Sequence, residues 1–125
     1  MNQLRIAAAA LLTLTMAACG GAGSSDPQSP GERLVAAMEL IRDGKPKELE
    51  TFVVNDDRPG VGMFSGVYSS GWADEGGLNR VEIVSEEING DSATVTAKFH
   101  FVNGGAEEVT YQLKKEDNVW KIILP

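Results

Sequence analysis

From Leu34 onward the apolar residues recur every three or four positions, and beyond Leu78 they recur every second one. The first period belongs to a helix and the second to a half-buried strand. Ser29-Pro30-Gly31-Glu32 opens the helical part. Ser29 suits a cap, Pro30 suits the first helical position, and Glu32 stands three residues after the cap. Leu34, Val35, Met38 and Ile41, with Ala37 beside them, then make one apolar face, and Gly44 marks the stop. A second short helix is expected near Pro46, with Leu49, Phe52 and Val53 on one side. Residues 55–60 (NDDRPG) read as a turn cluster. Residues 61–77 are interrupted by glycine, which weakens a helix. Met63, Phe64, Val67, Tyr68 and Trp72 are nevertheless expected to form the apolar stripe of a short helix there.

The period of two governs the remainder. Residues 81–88 predict a strand, and Asn89-Gly90-Asp91 a tight turn. Ala93, Val95, Ala97, Phe99 and Phe101 alternate with Thr94, Thr96, Lys98 and His100. Asn103-Gly104-Gly105 turns the chain again, and Val109, Tyr111 and Leu113 resume the alternation. After the turn at Glu116-Asp117-Asn118, Trp120, Ile122 and Leu124 share a face, so Trp120 is expected to be buried. Successive hairpins imply an antiparallel meander with one dry face and one wetter face. Helices followed by strands give an α+β fold, with the helices packed over the apolar face of the sheet. His100 falls out of phase with Phe99 and Phe101 and is placed on the outer face.

The amino terminus follows a different logic. Arg5 precedes an unbroken apolar run over residues 6–12, loosely extended to Met16, and Ala17 and Ala18 stand before Cys19. This is the order of a secretory signal. The run is shorter than the roughly 20 residues a membrane-spanning helix needs. Met16-Ala17-Ala18-Cys19 resembles a lipobox, which implies acylation of the Cys19 thiol and cleavage before it. Gly20 follows, rather than Asp. In a Gram-negative envelope that resemblance implies the outer membrane, facing the periplasm. Each buried lipid methylene contributes about 0.8 kcal/mol, and two or more acyl chains make a stable anchor. The chain is thus expected to comprise a signal peptide (residues 1–18), a lipidated cysteine with a flexible tether (19–29) and one folded domain (30–125). Ten Gly- and Ser-rich tether residues would reach roughly 15–20 Å.

Charge and composition then remove several function classes. Eleven Lys and Arg stand against 18 Asp and Glu, for a net charge of −7. Loss of residues 1–18, whose sole charge is Arg5, would leave the rest one unit more negative. Such a domain repels phosphate backbones, so nucleic acid is not an expected partner. Cys19 is the one cysteine and His100 the one histidine. An internal disulfide and a Cys-based zinc site are therefore excluded. The adjacent acids Glu86-Glu87 and Glu107-Glu108 lie on strands, where neighbours point to opposite faces, so they are not convergent pairs. Asp56-Asp57 and Asp74-Glu75 read as solvated loop acids, and neither a calcium loop nor a phosphate-binding loop matches. No cofactor, no metal and no catalytic residue is expected. Tyr68, Trp72 and Tyr111 remain as aromatic candidates for binding a ligand or partner, since polar-tipped aromatics make good contact anchors.

The segments GGLNRVEIVSEEINGDSATVTAKF and EEVTYQLKKEDNVWKI, behind a helix pair, resemble the small exported lipoproteins of the DUF4878 type, within the NTF2-like, cystatin-like superfamily. The resemblance spans residues 30–125, and its most specific piece is Val119-Trp120-Lys121-Ile122 after a polar turn. It implies helices packed on a curved antiparallel sheet in a cone. NTF2-like isomerases use a pocket carboxylate beside aromatic donors. Asp74, near Trp72, is the acid that this resemblance picks out. Fold alone does not decide function within such a superfamily. The expected role is a non-catalytic binding or interaction module at the membrane, taking an envelope protein or a small apolar ligand. The alternatives are a small-molecule carrier or sensor with an apolar pocket, and an isomerase or hydrolase.

Overall fold

The computed structural model describes residues 28–125. The expected signal peptide, Cys19 and nearly all of the tether lie outside the described residues. Helix α1 (Pro30–Arg42) begins as its sequence dictates. The Ser29 hydroxyl accepts from the Glu32 amide at 3.1 Å, and the Ser29 amide donates to Glu32 Oε1 at 2.8 Å. Two amides left open by helical geometry are thereby satisfied. A third, on Gly31, donates to the Glu86 carboxylate at 2.6 Å across from the sheet. Leu34, Ala37, Met38 and Ile41 are fully buried. The helix ends where Gly44 adopts a φ of 73°, a left-handed turn that glycine makes without strain.

The next segment departs from expectation. Helix α2 covers only Pro46–Leu49, and a 3₁₀ turn (Glu50–Phe52) follows. Val53 is extended rather than helical, with φ −114° and ψ 146°. It forms a parallel bridge to Ile122, and the Val54 amide donates to the Ile122 carbonyl at 3.0 Å. Leu49 and Val53 are both buried, but they reach the core from different local structures. β-branched Val53 and Val54 suit an extended backbone better than a helix end. The expected turn cluster, Asn55–Gly60, winds as a 3₁₀ helix into helix α3 (Val61–Ala73).

Gly76 and Gly77, at φ 83° and 100°, reverse the chain into the sheet. Strands β1 (Leu78–Asn89), β2 (Ser92–Phe101), β3 (Ala106–Glu116) and β4 (Val119–Ile123) lie in sequence order and pair antiparallel. β1 starts earlier than the alternation implied, because Leu78 already pairs with Phe101. Its register shifts between Leu78 and Arg80 and again between Ile83 and Ser85. Such irregularities bend and twist a strand, which curves the sheet. Asp117 and Asn118 both take positive φ, 54° and 68°, as the tight β3–β4 hairpin requires.

One face of the sheet is dry. Ala93, Val95, Ala97, Phe99 and Phe101 of β2, Tyr111 and Leu113 of β3, and Trp120 and Ile122 of β4 are buried against the helices. The opposite face carries cross-strand polar pairs. Thr96 and Thr110 hydroxyls meet at 2.9 Å, Thr94 donates to Gln112 at 3.3 Å, and His100 Nε2 lies 2.8 Å from Glu82 Oε1. The His100 contact holds the Glu82 carboxyl below the usual range. His100 therefore sits on the outer face, as its phase implied. Among the described residues no helix is long and apolar enough to cross a membrane, and no cluster of three His, Cys, Asp or Glu could hold a metal.

Candidate functional site: an aromatic cleft between helix α3 and the sheet

Helix α3 meets the sheet through rings. Trp72 packs edge-on against Phe99, with centroids 5.6 Å apart at 74°, and Tyr68 packs on Trp72 at 5.7 Å and 71°. Positions 61, 65, 68 and 72 follow the i, i+3/i+4 spacing that puts residues on one helix face. Val61, Ser65 and Trp72 are buried and Tyr68 is half-buried along that face. The stripe expected from apolarity alone included Met63 and Val67. Both are exposed, at 78% and 63%. The short polar Ser65 takes an inward place on that face instead.

Beside this ring cluster lies an open cleft of about 550 Å³. Its walls include Tyr68 and Trp72 from α3, Phe99 and Phe101 from β2, and Val109 from β3. Gly71, Gly105 and Ala106 also line it and bring no long side chain into it. A side chain at Gly71 would meet no atom within 4 Å of its first carbon. A volume of this size falls within the range of small-ligand sites.

Two carboxylates border the cleft, Glu75 and Glu107. Glu75 is fixed by the β2–β3 turn. Asn103 Nδ2 donates to Glu75 Oε1 at 2.9 Å, and the Asn103 amide donates to the Glu75 carbonyl at 3.2 Å. Glu107 stands directly across from Phe99 in the β2–β3 register, so it shares the concave face with Val109 and Tyr111. It is exposed at the cleft mouth. Among the described residues neither acid takes part in an ion pair. The residues lining the cleft include no Lys, Arg or His.

Tyr111 lies beneath this surface. Its hydroxyl donates to the Tyr68 hydroxyl at 2.7 Å, linking β3 to α3. Burial pushes the Tyr111 phenol far above its ordinary range, and the bond to Tyr68 adds to the shift. Tyr68 is also raised, first by burial and further by the negative Glu107, while the bond from Tyr111 acts the other way. Both phenols are neutral at physiological pH.

Of the residues singled out from sequence, Tyr68, Trp72 and Tyr111 come together here. Asp74 does not. It caps the end of α3 and is exposed, outside the cleft. Two residues beyond Trp72 is about 200° around a helix, whereas three residues beyond returns near the same face. Glu75 is therefore the acid that accompanies Trp72. Glu107 was legible in principle, since it lies in phase with Val109, Tyr111 and Leu113.

A meander of four strands with three helices on its concave side, opening in a cleft at one end, has counterparts among solved structures. A Campylobacter jejuni protein provisionally assigned as an NTF2-like transpeptidase superposes with a TM-score of 0.69, covering 78% of this chain and 100% of its own, at 17% identity. The fold is NTF2-like. A de novo designed protein of the NTF2 fold gives a TM-score of 0.50 at 16% identity, covering 79% of this chain and 87% of its own. No family model matches the chain, and no curated protein matches it. At these identities the likeness concerns the NTF2-like fold and carries no activity with it.

Proposed function

We propose that this chain is an envelope lipoprotein, tethered through Cys19, whose NTF2-like domain binds a small ligand in the α3–sheet cleft without transforming it. Within that reading it belongs with the exported DUF4878-type lipoproteins that its strand segments resemble. The observation that carries the binding reading is the open aromatic cleft itself. The outer sheet face offers a partner mostly polar side chains already engaged with one another, such as Thr96 with Thr110 and His100 with Glu82. This favours the carrier or sensor form of the reading over docking of a protein on the sheet.

An isomerase-type reading rests on one arrangement, the Tyr111–Tyr68 hydroxyl pair near Glu107. Two features weigh against it. Glu107 is exposed rather than held in a dry pocket. Asp74, the acid the family pattern suggested, lies elsewhere. The transpeptidase assignment of the Campylobacter jejuni protein is not extended to this chain, because no Ser, Thr, Cys or His lines the cleft to act as nucleophile or base.

The test compares wild type with Gly71→Leu, whose side chain would grow into the cleft. Native mass spectrometry of each chain as isolated from cells should show a small molecule held by wild type and lost from the variant. An identical set of bound molecules in both, or none in either, overturns the reading. The anchor is tested separately. Cys19→Ala should abolish labelling by a fatty-acid probe, and unchanged labelling contradicts the lipoprotein assignment.

A further inference from the structure

We infer that Asn89, at the tip of the β1–β2 hairpin, is a site of spontaneous covalent modification in the folded chain, converting to aspartate and isoaspartate through a cyclic imide. This is independent of the cleft and of its ligand. The chain holds two identical dipeptides, Asn89-Gly90 and Asn103-Gly104, and the fold sets them in different hydrogen-bonding surroundings.

The reaction is intramolecular. The amide nitrogen of the following residue, once it gives up its proton, attacks the side-chain carbonyl carbon Cγ of asparagine. A bond from that nitrogen to Cγ forms, the bond from Cγ to Nδ2 breaks, and ammonia leaves with a proton. Water then opens the five-membered imide at either carbonyl. One opening gives aspartate. The other gives isoaspartate, with the main chain rerouted through the side chain. Only water is consumed. Glycine in the following position favours ring closure, because it has no Cβ to crowd the attack. Among the described residues the other asparagines, Asn55, Asn79 and Asn118, precede the bulkier Asp56, Arg80 and Val119.

Exposure does not separate the two dipeptides, since Asn89, Gly90, Asn103 and Gly104 are all exposed. Hydrogen bonds do. At Asn103 the leaving group is held, because Nδ2 donates to Glu75 Oε1 at 2.9 Å. The attacking nitrogen is held as well, because the Gly104 amide donates to the Phe101 carbonyl at 3.0 Å. The Asn103 amide donates to the Glu75 carbonyl at 3.2 Å, and Oδ1 accepts from the Gly105 amide at 2.8 Å. Cyclisation at Asn103 therefore requires this turn to come apart first.

At Asn89 these restraints are missing. Among the described residues neither its side chain nor the Gly90 amide takes part in a hydrogen bond. Gly90 turns at a φ of 65°, and a side chain there would meet nothing within 4 Å, so the space around the reacting atoms is open. Asn89 pairs with Ser92 as the last pair of the β1–β2 ladder. Fraying of that one pair frees the backbone to bring the Gly90 nitrogen onto Cγ, and the end of a ladder opens at small cost. The cleft residues Phe99 and Phe101 stand at the other end of β2. Each event thus adds one negative charge at the hairpin tip and leaves the cleft as it was.

The test follows the full chain as isolated from cells, incubated at mildly alkaline pH both folded and in urea. Peptide mass spectrometry reads amide-to-acid conversion at each asparagine, and enzymatic methylation of isoaspartyl carboxylates reads the rearranged product. In the folded chain Asn89 should convert at least about tenfold faster than Asn103, the ratio expected when one or two hydrogen bonds must break before attack. In urea the two should convert at similar rates, because the dipeptides are the same. Isoaspartate should accompany aspartate at Asn89. Equal rates at the two sites in the folded chain would overturn the inference. So would an Asn89 that stays intact in the folded chain while both sites convert in urea. Aspartate formed without isoaspartate would mean direct hydrolysis of the side chain and would contradict the cyclic step.

Discussion

Helices α1 and α3 are the same length, 13 residues each, yet they are made differently. α1 has a reciprocal capping box, and its inward residues Leu34, Ala37, Met38 and Ile41 are at most 1% exposed. α3 has no side-chain cap and holds Gly62, Gly66 and Gly71 within its span. Each interior glycine costs a helix about 1 kcal/mol relative to alanine. α3 also exposes Met63 and Val67, and beyond Val61 at its start it meets the sheet through the rings of Tyr68 and Trp72. One helix closes a core. The other, uncapped and interrupted by glycine, forms a wall with room beside it. A single fold thus separates stability from binding, and the weak wall stands where the cleft is.

The largest effect that would sharpen this contrast belongs to α1. Leu34→Ala should lower unfolding free energy by about 2–5 kcal/mol in a denaturant titration, the range for large-to-small changes in a filled core. A loss under 1 kcal/mol would mean that α1 is not what closes the core.

The next effect concerns the tie between wall and sheet. Tyr111→Phe removes the hydroxyl bond to Tyr68 and should cost about 0.5–1.5 kcal/mol at neutral pH. It should also change the pH dependence. The folded Tyr111 phenol is raised above its unfolded value of about 10. Its contribution is whole below pH 10 and is lost as pH rises beyond, where the unfolded chain releases the proton first. Above pH 10 wild type should therefore lose stability more steeply than Tyr111→Phe. Parallel curves would show that this phenol is not the group responsible.

Smaller still, and opposite in sign, is Gly66→Ala. The position is exposed within α3, and an added carbon meets nothing within 4 Å. Stability should rise by about 0.5–1 kcal/mol. A fall would mean that α3 needs glycine there for packing, and the account of the loose wall would need revision.

The same contrast explains what could be read in advance. The β-meander and α1 are legible because period and cap chemistry point the same way at every level. Ser29 with Glu32, the alternation from Ala93 to Phe101, and Asp117-Asn118 at a tight hairpin each have a local cause. The wall was harder. Its buried face is set by where the sheet lies, so the most apolar positions, Met63 and Val67, are not the ones inside. Val53 reads as helical from its neighbours because its β-bridge partner, Ile122, is remote in sequence. The aromatic members of the cleft could be named from composition. Its acids are hard to pick out because each stands beside another carboxylate. Their phases differ, and Glu107 alone of its pair shares the concave face with Tyr111. Likewise Glu75, not Asp74, falls near Trp72 after one helical turn.

The central claim is that α3 is a weakly held wall which a ligand in the cleft would steady. Native-state hydrogen exchange on the full chain tests it most directly, because it reports opening free energies segment by segment. Amides of α1 should exchange only through global unfolding. Amides of α3 should exchange through a local opening at least about 2 kcal/mol less costly, a gap consistent with three helix glycines. A saturating cleft ligand should narrow that gap by protecting α3 while leaving α1 unchanged. Equal protection of the two helices without ligand, or protection by ligand that falls on α1 instead, would contradict the account.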